Sequence, residues 1–180
     1  MQTRLTPHPA TPRSPLTSLL ADAARPAPGL LRLTYRAEGA LAQVVLPPAG
    51  PPERADELWR STCFEAFLRR PSGESYVELN LAPSGRWAAY LFDAYREGMR
   101  PAAAPTPAIE THRTGEALAL TATFDLSGLQ AFADEDWRLA LTAVVEASDG
   151  AISYWSLSHA PGPPDFHHPA GFVLDLPRAR

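Results

Sequence analysis

The chain contains no lysine; all sixteen basic residues among its 180 are arginine. Twenty acidic residues set the formal net charge at -4, and no basic run lays down the positive stripe that phosphate neutralisation needs, so nucleic acid is not an expected partner. A single cysteine, Cys63, excludes an internal disulfide and every multi-cysteine zinc or iron–sulfur centre. No apolar run approaches the length of a membrane span. The opening stretch, MQTRLTPHPATPRSPL, is broken by proline where a signal peptide would carry a continuous apolar segment. A cytoplasmic protein without a membrane partner is the expectation. Internal repeats of the propeller or solenoid kind are also missing.

What the chain has in quantity is punctuation. Twenty prolines and eleven glycines divide a composition that is 45% hydrophobic and 20% charged into short runs. Prolines 7, 9, 12 and 15 make residues 1–15 an extended arm, and residues 16–180 are expected to form one domain. Within it LLRLTYRA (30–37) and ALAQVVLP (40–47) flank Glu38-Gly39 and read as a hairpin. STCFEAFLR (61–69), SYVELNLA (75–82) and RWAAYLFDAY (86–95) read as a meander joined by Pro-Ser-Gly turns. TPAIETHR, EALALTATFDL, WRLALTAVVEA, AISYWSLS and FVLDL continue the pattern, with one short helix at about 126–133 capped by Asp125 or Ser127. Nine to eleven strands, roughly, at turn spacings near ten residues predict an all-β fold. The expected form is a β-sandwich of two antiparallel sheets, of the immunoglobulin or jelly-roll kind, with at most one or two short helices.

Alternation then sorts side chains by face. Val77, Leu79 and Leu81 take one side of their strand and Tyr76, Glu78 and Asn80 the other. Phe64, Ala66 and Leu68 alternate with Cys63, Glu65 and Phe67. Glu146 and Tyr154, with Ser156 and Ser158, fall on the same polar side if these strands share a sheet. Carboxylates, an amide and tyrosines with few cations form a surface suited to sugar hydroxyls, because acceptors give directional hydrogen bonds while a ring stacks on the apolar side of a pyranose.

The blocks LWRSTCFEAFL, SYVELNLAPSGRWAAYLFDAYREGM and ISYWSLSHAPGPPDFHHPAGF resemble the bacterial DOMON-like proteins, in the superfamily that also holds family 9 carbohydrate-binding modules. The resemblance covers about residues 30–176 and is carried most specifically by Trp59, the Cys63-Phe64-Glu65-Phe67 strand, Glu78-Leu79-Asn80 and the Pro83-Ser84-Gly85-Trp87 turn. It implies a noncatalytic β-sandwich that binds a ligand, sugar in some branches and haem in others. The chain departs from the sugar-binding modules in lacking a matching pair of sandwiching tryptophans.

The expected ligand site therefore comprises Trp59, Glu65, Tyr76, Glu78, Asn80, Glu146, Tyr154 and His159, taking a carbohydrate or similar small polar molecule, with no catalytic residue, no metal and no cofactor. Three alternatives stand beside it. Met99 with His159 or His168 could ligate haem in an electron-transfer or sensor protein. Glu65 and Glu78 could form the carboxylate pair of a glycoside hydrolase, a weaker reading. His159, Asp165, His167 and His168 carry ligand atoms, but adjacent histidines diverge in extended backbone, so a metal centre is not expected. Between prolines 161 and 169, the segment Asp165-Phe166-His167-His168 is expected to pack as a wall beside the carboxylate face, with Phe166 its buried anchor.

Overall fold

A computed structural model describes residues 2–11, 13–133 and 135–179. Positions 1 and 12 of the expected arm, and 134 and 180 of the expected domain, lie outside them. In chain order the elements are β1 (Thr3–Arg4), β2 (Thr6–Pro7), β3 (Leu16–Ala24), β4 (Leu30–Gly39), β5 (Glu53–Arg54), β6 (Cys63–Arg69) and β7 (Tyr76–Leu81). They continue with β8 (Arg86–Phe92), β9 (Arg100–Pro101), β10 (Ala108–Arg113), β11 (Ala117–Asp125), α1 (Gln130–Ala133), β12 (Trp137–Glu146), β13 (Ile152–Ser156) and β14 (Leu174–Leu176). Nine of these strands have five residues or more. They form two facing sheets, ordered β1-β3-β4-β11-β10 and β2-β13-β12-β6-β7-β8-β5, with β14 on β12 and β9 on β8. Every strand pairing is antiparallel except the two-residue contact of β5 with β8. The expected β-sandwich is the observed one.

Alternation builds the first sheet in the ordinary way. In β4, Leu31, Leu33, Tyr35 and Ala37 are buried while Arg32 and Arg36 are exposed. The Tyr35 ring stacks on Phe64 across the core, with centroids 5.0 Å apart, and its hydroxyl donates to the Glu65 carbonyl at 2.6 Å, tying one sheet to the other. The second sheet differs. All six residues of β7 and the first six of β6 are buried, so both faces of these strands are covered. Inside lies the main core; outside lies a second apolar cluster, including Phe67, Tyr76, Tyr90, Phe92 and Phe172. Loops supply that outer cover.

Three expectations are corrected. The 30–37/40–47 hairpin does not form: β4 continues through Glu38 to Gly39 and pairs with β3 and β11, while residues 41–43 make a 3-10 turn that buries Leu41. Gly39 has φ of 144°, and a Cβ there would collide with the Pro15 carbonyl, so only glycine lets the chain leave the strand at this point. The helix shrinks to one turn, because Asp125 spends its Oδ1 on the Ser127 amide at 2.9 Å and forms a turn before the helix begins. The N-terminal arm is extended but not separate: β1 joins one sheet, β2 the other, and Leu5 is buried at the crossing between them.

Candidate functional site

The polar face read from alternation is real, but it is a floor rather than a surface. Glu65 is 2% exposed, Glu78 6% and Asn80 0%. Strand register sets Glu65 directly opposite Asn80 and Thr142, and Glu78 opposite Phe67 and Tyr90. Above this floor opens a cavity of about 970 Å³. Phe67, Phe92 and Val144 line its base with the two glutamates. Trp59 and Met99 stand at its edge, and Tyr154, Phe166 and His167 form one wall.

Each loop over the sheet is held by a specific contact. The Tyr90 hydroxyl donates to Asp56 Oδ1 at 2.5 Å, holding the segment that carries Trp59. Tyr95 donates to Asp165 Oδ2 at 2.6 Å and Arg96 to Asp165 Oδ1 at 2.8 Å, which clamps the proline-rich loop to the β8–β9 connection. Asp165 also accepts the His167 amide at 3.1 Å. His167 is the wedge: its ring packs within 5.1 Å of Phe67 and 5.2 Å of Phe92, centroid to centroid. Tyr76 accepts the Arg96 amide at 3.2 Å and shares a hydrogen bond with His167 Nδ1 at 2.7 Å, while His167 Nε2 faces Glu78 Oε2 at 3.8 Å. Glu57 and Arg96, at φ of 59° and 57°, are the non-glycine residues in left-handed backbone among the described residues, and both line the cavity. Such conformations cost roughly 1–3 kcal/mol each and persist where surrounding contacts overdetermine them.

Burial also governs the charges. Glu65 is pushed well above the usual carboxylate range, first by loss of solvent and then by the neighbouring charge of Glu78, against the hydrogen bond it accepts from Thr142. Glu78 rises for the first reason, opposed by the Asn80 amide, which donates to it at 2.7 Å, and by Arg96. His167 is held down to about 4 by burial and by the Arg96 guanidinium, with Asp165 opposing. It is neutral at pH 7, so its approach to Glu78 is not an ion pair. The Tyr76 hydroxyl is pushed up to about 12 by burial and keeps its proton.

No protein-family model matches the chain, and no curated protein does. Solved structures match it by fold. A protein of Bacteroides uniformis ATCC 8492, provisionally described as carbohydrate-binding, has a TM-score of 0.68 at 16% identity over 98% of this chain and 85% of that one. A family 9 carbohydrate-binding module of Caldicellulosiruptor kristjanssonii, solved with glucose, has a TM-score of 0.51 at 12% identity over 89% of this chain and 75% of the other. At such identities the likeness is one of architecture.

Of the eight residues expected from sequence, Trp59, Glu65, Glu78 and Tyr154 line the cavity. Tyr76 and Asn80 stand behind them, holding His167 and Glu78 in place. Two are corrected. Glu146 accepts from Ser61 Oγ at 2.5 Å and fastens the end of β12 to the loop before β6. His159 donates from Nε2 to the Thr6 carbonyl at 2.8 Å and packs edge-on against His8, so it secures the N-terminal arm. Neither lines the cavity, because each sits where its strand leaves the covered face. Phe166 is also corrected: it is half-buried against Tyr154, and the anchors of its loop are His167 and Phe172. Tyr90 and Phe92 were missed although carrying the alternation of Glu78 across to RWAAYLF puts them on the same face. Asp56, Met99 and Pro164 come from loops and leave no such signal.

Proposed function

We propose that the protein is a noncatalytic carbohydrate-binding β-sandwich that holds a saccharide unit in the cavity over β6, β7 and β8. The observation that carries this is the convergence of buried carboxyl groups and aromatic rings in one cavity of about 970 Å³, a size suited to a small ligand. Glu65 and Glu78 accept or share hydrogen bonds with hydroxyls at the floor, while Trp59 and Tyr154 offer ring faces at the sides. One face of Trp59 is already covered by Arg60, whose guanidinium lies 5.0 Å from the ring centre, so a sugar would stack on the other. The likeness in fold to a module solved with glucose supports the reading.

Hydrolysis by the pair Glu65 and Glu78 is the weaker reading, because both carboxyl groups are buried in the floor, 2% and 6% exposed, and offer little surface to a scissile bond. Haem fits poorly. Met99 lines the cavity edge, but neither His159 nor His168, the partners expected for it, lines the cavity.

Calorimetric titration with mono- and oligosaccharides, glucose among them, tests the proposal. Saturable heat with a matching change in tryptophan fluorescence is the expected result. No heat across the panel, together with a Soret shift on titration with haemin, would replace it with the haem reading.

A further inference from the structure

A strand at the end of a sheet presents unpaired N–H and C=O groups to other chains, and proteins blunt such ends by keeping them short. β1, β2 and β5, which end the two sheets here, have two residues each. β10, the last strand of the first sheet, has six and contains no proline. Its residues are exposed or half-buried, and among the described residues no segment pairs with its free side.

The phase of the ladder decides which backbone groups are free. Thr114 donates its amide to the Ala117 carbonyl at 2.8 Å where the β10–β11 hairpin turns, and the register pairs His112 with Ala119, Glu110 with Thr121 and Ala108 with Thr123. Hydrogen-bonded pairs recur at every second residue of an antiparallel ladder, so Ala108, Glu110 and His112 direct their backbone groups at β11. Ile109, Thr111 and Arg113 direct theirs outward. The far side of β11 agrees, since Leu126 donates to the Gly29 carbonyl and Gly39 to the Glu116 carbonyl, which commits the even-numbered residues of β11 to β4 and leaves the odd-numbered ones for β10. Side chains add a second constraint: Glu110 and His112 stand exposed on the outer face of the sheet, and neither has a hydrogen bond or ion pair among the described residues.

We propose that β10 is the docking edge for a second copy of this chain, the two strands pairing antiparallel about a two-fold axis at Thr111. Thr111 then exchanges backbone hydrogen bonds with its own copy, and Ile109 exchanges them with Arg113 on either side. The same register sets Glu110 opposite His112 twice, in the non-hydrogen-bonded pairs where side chains approach most closely and a carboxylate accepts from an imidazole N–H. Moving the axis to Glu110 sets glutamate against glutamate and faces Arg113 with Pro107, which has no amide proton to donate. Moving it to His112 sets imidazole against imidazole. One register therefore satisfies backbone and side chains together. A single short strand pair buries less than an obligate interface does, so the dimer is concentration-dependent, and its edge belongs to the sheet that does not carry the cavity.

The experiment is sedimentation velocity of the full chain at neutral pH, with loading concentrations from micromolar to millimolar and circular dichroism as the check on folding. The wild type should pass from monomer to dimer across that range. Thr111→Pro removes an amide that β11 does not use and should leave a monomer throughout. His112→Glu sets like charges opposite each other twice and should weaken the dimer about tenfold. Combining it with Glu110→His exchanges the two partners and should restore the wild-type dissociation constant. A wild type that stays monomeric throughout, or a dimer that a folded Thr111→Pro variant leaves intact, would overturn the proposal. If proline unfolds the strand, the two variants at exposed side chains decide alone: a dimer that His112→Glu does not weaken, or that the exchange does not restore, would overturn the register and the proposal with it.

Discussion

Acid should weaken this fold through one imidazole. His167 wedges the proline-rich loop against Phe67 and Phe92, and its value in the folded chain is about 4 against an ordinary 6.5. The unfolded chain therefore takes up the proton first as pH falls. The stability that neutral His167 contributes is complete above pH 6.5 and is lost progressively toward pH 4. The interval of 2.5 at about 1.36 kcal/mol per pH unit corresponds to about 3 kcal/mol. Glu65 and Glu78 work in the opposite sense: their values are raised, so their contribution is present below 4.5 and is lost as pH rises through the folded values. The comparison must therefore be made against a variant. His167→Gln keeps an acceptor for the Tyr76 hydroxyl but cannot titrate. Urea unfolding followed by circular dichroism should show the wild type losing about 3 kcal/mol more than the variant between about pH 7 and about pH 4. Parallel pH profiles for the two proteins would refute the placement of His167 as a buried neutral wedge.

Cys63 is fully buried with its thiol pushed up, chiefly by burial and then by Glu65, so an aromatic disulfide reagent should leave it unmodified in the native protein and react once urea unfolds the chain. Trp59 is 49% exposed while Trp87, Trp137 and Trp155 are each buried, so aqueous quenchers should act mainly on Trp59, and a Trp59→Phe variant should lose that response. Phe67→Ala removes a buried ring from the cavity floor and should cost roughly 3–5 kcal/mol, whereas half-buried Phe166→Ala should cost clearly less; equal losses in denaturant melts would contradict the packing described. Tyr35→Phe should cost about 1–2 kcal/mol by leaving the Glu65 carbonyl without its cross-sheet donor, and an unchanged unfolding midpoint would show that bond to be idle.

Which of these residues could be known in advance follows from the range of the interactions that place them. The face shared by Glu65, Glu78 and Tyr76 was legible because extended backbone turns side chains through a half-circle at each residue, a rule needing no distant contact. The hairpin at Glu38-Gly39 was misread because a glycine before an apolar run has the same local pattern whether the chain reverses or leaves the sheet. Pro15, remote in sequence, decides between them. That His159 and Glu146 fall outside the cavity has a related reason: alternation says which way a side chain points but not where the cover over a sheet stops.

The amino-acid sequence by itself determined that this chain is a β-sandwich, which strands neighbour one another in the β6–β8 meander, and which side chains share the acidic face. All are consequences of short-range periodicity and turn chemistry. Tertiary structure alone decided that the acidic face is a buried floor. Clamping of the Asp165 loop by Tyr95 and Arg96, across about seventy residues of chain, drives His167 onto the sheet and closes a cavity over the glutamates. Burial then raises those carboxyl groups. No pattern along the strand encodes that, because desolvation depends on what packs above a residue and not on its neighbours in sequence.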